Sequence, residues 1–294
     1  MASRVLVTGA AGLLGGRVAA LLAARFPVVA ARHMAATPPG VEALEMDLLD
    51  RASIAAALDH ARPDAVVHCA AQSNPDRCER DPEPAARLNA DAAGELARAC
   101  RRLGVRLVAL STDLVFPGDR PFVSEQDATG PILVYGRTKL RGEEALLAES
   151  PEAAVLRLAL VAGRGYGAKG TSTETVAWAL RTGRPVRLYT DQIRTPVDSA
   201  SVADAVARAL ERAASGRFHL GGPEPVSRYQ LGLRVASVLG LPADGIAPVT
   251  QAELPQDAPR PRDTSLDSTR ARRELGWEPR GLDDAIRDGR AAPD

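Results

Sequence analysis

Val5-Leu6-Val7-Thr8-Gly9-Ala10-Ala11-Gly12-Leu13-Leu14-Gly15 sets three glycines at a spacing of three between an apolar run and an Ala/Leu-rich segment. Residues 4–8 read as a buried strand and 13–25 as a helix. At that junction each glycine has a job. Gly9 permits a tight turn, Gly12 lets the backbone approach a pyrophosphate, and Gly15 lets the helix pack closely on the strand. The helix start then offers free N–H groups and a positive dipole end to phosphates, with Ala11, Leu13 and Leu14 completing the turn. The stretch predicts a dinucleotide site on a strand–turn–helix unit.

Outward from that turn the alternation continues. Strands are expected at 28–31, 43–46, 64–69, 105–110 and 154–160, with helices at 52–61, 83–103 and 135–149. Short apolar strands alternating with helices predict an α/β, Rossmann-like, doubly wound parallel sheet covered on both faces. The second half is richer in Pro and Gly. Residues 163–170 read as a mobile loop, 199–213 as an amphipathic helix, and Glu274-Leu275-Gly276 as a helix end on which Trp277 docks. Trp178 reads as a packing residue. The expected division is a dinucleotide-binding part at 1–162, rejoined by about 186–220, and a mainly substrate-binding part at 163–294.

Composition removes other classes. The 294 residues are 45% apolar and 25% charged, which fits a globular chain and not a disordered or fibrous one. Lys+Arg and Asp+Glu are equal at 37 each, so the basic surplus of a nucleic-acid binder is missing. Apolar stretches are interrupted well before the roughly 18–20 residues that span a bilayer. The N-terminus runs directly into the first strand without a signal-peptide layout. A soluble, cytoplasmic protein is expected. Cys69, Cys78 and Cys100 make no C-x-x-C pair, and the four histidines have no metal-ligand spacing, so no metal site is expected. Only Lys139 and Lys169 are lysines among the 37 basic residues.

The cofactor is argued from strand ends. NAD-binding folds carry a carboxylate after the second strand to hold the ribose 2′-hydroxyl. Here Val29-Ala30-Ala31-Arg32-His33 ends in a cation, which suits a 2′-phosphate, so NADP(H) is favoured over NAD(H). Asp47 and Leu48 after the third strand are placed to meet the adenine. Ala70 and Ala71 after the fourth are placed to line the cofactor cleft.

Tyr135-Gly136-Arg137-Thr138-Lys139 puts a tyrosine and a lysine one turn apart on one helix face. A phenol near pKa 10 is slow to exchange protons at neutral pH. A neighbouring ammonium is expected to lower that value, so that Tyr135 protonates an alkoxide as hydride reaches a carbonyl carbon. Upstream, Ser111 and Thr112 leave the carboxyl end of a strand, where ligands bind in open α/β sheets. Either hydroxyl suits a substrate oxygen.

With these residues the chain resembles an extended short-chain dehydrogenase/reductase, specifically the dTDP-4-dehydrorhamnose reductase group. Thr8 to Gly15 is similar to T-G-x-x-G-x-x-G, and Tyr135 with Lys139 to Y-x-x-x-K. Ser111-Thr112-Asp113-Leu114-Val115-Phe116-Pro117-Gly118 resembles S-T-D-x-V-F-x-G. Asn89 lies in a stretch similar to V-N-x-x-g-x-x-n-L-A. Arg194-Thr195-Pro196-Val197-Asp198 and Arg260-Pro261-Arg262-Asp263-Thr264-Ser265-Leu266-Asp267 extend the likeness to nearly the whole chain. The resemblance implies a small carboxy-terminal domain for a nucleotide-linked sugar and a homodimer. It implies Tyr135 as the acid, Lys139 on the nicotinamide ribose and Thr112 on the keto oxygen, with Ser111 and Asp113 near the substrate. Arg260 is placed to pair with a diphosphate. Leu114, Pro117 and Val197 depart from the reductase pattern, which bears on the sugar and not on the redox residues. Two other readings share these motifs. One is another extended-family oxidoreductase or a sugar-nucleotide epimerase. The other is a cofactor-binding regulatory subunit like that of methionine adenosyltransferase.

Overall fold

The computed structural model describes residues 4–33, 35–167 and 170–289. The first part runs β1 (Val5–Thr8), α1 (Leu13–Leu22), β2 (Val28–Arg32), β3 (Glu42–Glu45), α2 (Arg51–Ala61) and β4 (Ala65–His68). It continues through α3 (Pro75–Arg80), α4 (Pro82–Ala86), α5 (Ala92–Leu103), β5 (Arg106–Thr112), α6 (Val134–Glu149) and β6 (Ala154–Leu158). The second part adds β7 (Val161–Ala162), α7 (Ser172–Arg181), β8 (Val186–Tyr189), β9 (Ile193–Arg194), β10 (Val197–Asp198) and α8 (Ser199–Glu211). It closes with β11 (Gly216–Leu220), β12 (Val226–Ser227), α9 (Arg228–Leu239), β13 (Ile246–Val249), α10 (Thr269–Leu275) and α11 (Leu282–Gly289).

One seven-stranded sheet in the order β3-β2-β1-β4-β5-β6-β11, parallel at every junction, organises the molecule. Side chains alternate across it. Val5 and Val7 enter a core with α1 and α8, while Leu6 enters the opposite core with α2, α5 and α6. Both faces are therefore covered, as apolar strands without polar alternation require. The strand order reverses between β1 and β4, the crevice where such sheets bind ligands.

The smaller part packs α7, α9 and α11 around the parallel pair β8 and β13. The chain returns to the large sheet later than expected. Val186–Tyr189 pairs with β13 and Ile193–Arg194 with β12, so the return is carried by α8 on the α1 side and by β11 beside β6. Gly276 caps α10 in the left-handed region at φ +61°, and Trp277 behind it is fully buried, its Nε1 donating to the Ser201 carbonyl at 2.8 Å. Trp178 differs from expectation. It is 51% exposed, and Arg184 lies over its ring at 4.6 Å.

The expected helix at 83–103 is interrupted by a π turn at Arg87–Asp91. There Asn89 is buried, accepts from the Gln72 N–H at 2.8 Å and donates to Thr138 Oγ1 at 3.0 Å, tying α5 to α6 and to the end of β4. The loop expected to be mobile is tied down in its described portion. Tyr166 N–H donates to the Leu13 carbonyl and Gly165 N–H to Glu174, so this loop sits on the start of α1. Lys169 lies outside the described residues.

Candidate active site

A cleft of about 550 Å³ opens at the carboxyl ends of β1, β2, β4, β5 and β6. Its floor is the glycine turn. Gly9 has φ +67°, and a Cβ there would meet the Ala70 backbone at 2.7 Å. A Cβ on Gly15 would stand 2.3 Å from the Gly9 carbonyl oxygen. Turn, helix and β4 thus approach each other with no room for a side chain, while Gly12 is exposed and faces the cleft. A helix start with no side-chain cap leaves its first N–H groups for a ligand, which fits a pyrophosphate.

The cleft gathers most of the residues singled out by sequence. Gly9, Gly12, Leu13, Leu14, Gly15, Arg32, His33, Asp47, Leu48, Ala70 and Ala71 line one end, and Ser111, Thr112, Tyr135 and Lys139 the other. Ala11, Asp113 and Arg260 do not line it. Sequence reading missed Met46, Cys69, Ser73, Leu88 and the wall of Leu158, Ala159 and Val161. Most of these sit at or just after strand ends, the one signal that could have found them. Arg32 is a third exposed and 3.6 Å from Glu45 on β3, so the guanidinium meets a carboxylate before it meets any ligand.

At the other end Lys139 is buried and its Nζ donates to the Leu110 carbonyl at 2.8 Å. Burial pushes its ammonium down, while the Glu143 charge pulls it back up. The expected lowering of the tyrosine is not what the geometry delivers. Burial, then the charges of Asp113 and Cys78, push the Tyr135 phenol up, and a hydrogen bond with Thr112 opposes them. Lys139 is held toward the strand carbonyl, so the phenol stays in its acid form.

Two expected substrate contacts turn inward. Ser111 Oγ donates to Glu143 Oε1 at 2.5 Å, leaving Thr112 as the hydroxyl beside Tyr135. Asp113 is 4% exposed, accepts from Thr264 Oγ1 at 2.5 Å and Thr112 Oγ1 at 3.1 Å, and faces Arg194 at 3.6 Å. Burial raises its carboxyl, partly offset by Arg194. It braces Thr112 and does not line the cleft. Arg260 donates to Asp76 at 2.9 Å and to the Ala258 carbonyl at 2.8 Å, beside a second, smaller pocket. No group of His, Cys, Asp or Glu able to hold a metal, and no helix long and apolar enough to cross a membrane, is found among the described residues.

A seven-stranded parallel sheet with a glycine-turn cleft that ends on threonine, tyrosine and lysine defines an NAD(P)-dependent oxidoreductase of the extended short-chain dehydrogenase/reductase type. Residues 3–290 match the RmlD substrate binding domain family, and the chain belongs to it. A probable low-salt glycan biosynthesis reductase of Haloferax volcanii is 34% identical over 95% of both chains. The dTDP-4-dehydrorhamnose reductase of Mycobacterium tuberculosis is 35% identical over 90% of this chain and 85% of its own. Methionine adenosyltransferase 2 subunit beta of Bos taurus is 32% identical over 91% and 81%. Among solved structures, a dTDP-4-dehydrorhamnose reductase of Clostridium acetobutylicum is 25% identical over 97% of both chains, with TM-score 0.84. The UDP-glucose 4-epimerase of Thermus thermophilus, complexed with NAD, is 26% identical over 99% and 100%, with TM-score 0.85.

Proposed function

We propose that this chain reduces the keto group of a nucleotide-linked 4-keto-6-deoxy sugar with NADPH. The observation that carries the reading is the convergence of Thr112, Tyr135 and Lys139 at the end of the cleft remote from Arg32. NADPH supplies the hydride. Thr112, braced by Asp113, orients the keto oxygen toward Tyr135. The neutral Tyr135 phenol donates its proton to that oxygen as negative charge develops, a contribution of roughly 10²–10⁴-fold in such sites. Lys139, which lines the cleft beside Tyr135, would hold the nicotinamide ribose. Arg32 pairs with the 2′-phosphate, with its ion pair to Glu45 as the competing contact. The identities of 34% and 35% to two reductases support this class of reaction.

The test is NADPH oxidation by purified protein supplied with a dTDP-4-keto-6-deoxyhexose. Turnover is expected, and Tyr135→Phe is expected to lose at least about 100-fold in kcat while retaining NADPH affinity. NADPH binding without turnover would refute the substrate assignment. It would turn attention to the regulatory reading, which the 32% identity to an adenosyltransferase subunit favours.

A further inference from the structure

Tyr135, Lys139 and Glu143 recur at four-residue steps on one face of α6. Glu143 is 3% exposed. Its carboxylate accepts from Arg157 Nε at 3.0 Å and Nη2 at 2.8 Å, from Arg217 Nε at 3.0 Å, and from Ser111 Oγ at 2.5 Å. Consecutive residues at the end of β5 are thereby engaged in turn. The Leu110 carbonyl takes Lys139, the Ser111 hydroxyl takes Glu143, and Thr112 reaches the cleft. A cavity of about 10 Å³, the order of a single water, is bordered by both Lys139 and Glu143, with His68 and Asn89 also in its wall.

A buried ammonium is costly unless an anion compensates it. Four groups bear on Lys139. From β4, the His68 imidazole is driven down to about 3 by burial and by Lys139 itself, so it is neutral at pH 7. Cys69 is pushed up to about 12 by burial, so it is a neutral thiol. From β6, Arg157 is a like charge that pairs with the same carboxylate at 2.8 Å. That leaves Glu143, the one carboxylate among the residues that wall the cavity.

We propose that Glu143 is a positioning residue of the redox site: its carboxylate keeps the Lys139 ammonium charged and, through Ser111, holds the strand end that carries Thr112. The functional meaning rests on the roles given above to Lys139 and Thr112. Arg157 and Arg217 anchor the carboxylate and dilute its charge. Removing the partly exposed Arg217 therefore strengthens the field at Lys139, and neutralising Glu143 abolishes it.

The chain's two lysines make this directly measurable. Protein labelled with [13Cε]lysine gives two lysine resonances, assigned with Lys169→Arg, and the Lys139 signal is titrated with pH. Glu143→Gln is expected to lower the Lys139 midpoint by about one pH unit or more, and Arg217→Ala to raise it. NADPH affinity, followed by cofactor fluorescence, should fail at correspondingly lower pH in Glu143→Gln. A purely structural role would weaken folding without moving the midpoint. Coincident midpoints in the three proteins overturn the proposal, and if Glu143→Gln does not fold, an unmoved midpoint in Arg217→Ala does so alone. Ser111→Ala tests the second arm: kcat should fall with the Lys139 midpoint unchanged, and an unaltered kcat removes that arm. The titration needs neither substrate nor turnover, so its failure is distinguishable from failure of the reductase reading.

Discussion

Replacing Gly15 with alanine puts a Cβ 2.3 Å from the Gly9 carbonyl oxygen and 2.8 Å from its carbon. Ordinary contact begins near 3.4 Å, so α1 and the turn must part by about 1 Å. Both obstructing atoms are backbone, and no side chain can swing aside. Overpacking of this kind costs about 1–3 kcal/mol. Alanine's better helix propensity returns about 1 kcal/mol, leaving a net loss of about 0–2 kcal/mol. The same displacement would misalign the free N–H groups at the start of α1 that fit a pyrophosphate. A hydrogen bond to a charged group contributes about 1.5–3 kcal/mol, so NADPH binding should weaken about 10- to 100-fold. Gly12→Ala is the comparator, because its Cβ meets only the Gly9 oxygen, at 3.1 Å, and the residue faces the cleft. It should change stability by less than about 1 kcal/mol and still impair cofactor binding. Urea unfolding and a fluorescence titration with NADPH measure the two effects separately. A Gly15→Ala protein with wild-type unfolding midpoint and wild-type NADPH affinity would refute the packing argument.

Arg32→Asp should move the ratio of kcat/KM for NADPH over NADH toward NADH by at least about tenfold, whereas Glu45→Ala, by freeing the guanidinium, should tighten NADPH a few-fold. Unchanged selectivity in the first variant would remove Arg32 from the cofactor assignment. Trp277→Ala empties a fully buried site and removes its hydrogen bond to the Ser201 carbonyl, so denaturant unfolding should register a loss of about 3–5 kcal/mol; a loss below about 1 kcal/mol would contradict its anchoring role. His68 is held down to about 3 by burial and Lys139, and His219 to about 4 by burial and Arg157. The unfolded chain therefore takes up protons below pH 6.5 that the folded chain refuses, and stability should fall by about 4 kcal/mol from pH 7 to pH 5. His219→Gln should remove about half of that dependence; an identical pH profile in the variant would exclude this histidine as its source.

Much of the cleft was legible because its signals are local. The glycine turn is one strand–turn–helix unit, and the Tyr135–Lys139 pair depends only on the helical repeat. Alternation of strand and helix sufficed for a doubly wound sheet, since right-handed crossovers leave few other arrangements. Arg32, Asp47, Ala70 and Thr112 could be singled out for the same reason: each sits at a strand's carboxyl end, a position readable from where an apolar run stops.

What was illegible is carried by contacts between distant segments. Nothing near Ser111 in the chain announces that its hydroxyl belongs to Glu143, 32 residues on. Asp113 looks like its neighbour Thr112 in sequence, yet Thr264 and Arg194 draw it inward from 151 and 81 positions away. The π turn at Asn89 is absent from helical periodicity because it answers to Gln72 and Thr138 and not to its own helix. Trp178 is apolar in sequence and half exposed in the fold, with the Arg184 guanidinium over its ring. The order of short-range pattern along this chain is enough to specify its architecture and most of the singled-out residues that line the cleft. Which of two adjacent hydroxyls stands beside Tyr135, and that the tyrosine is held in its acid form, follow from burial and charge, and both come into being only when remote strands and helices close around them.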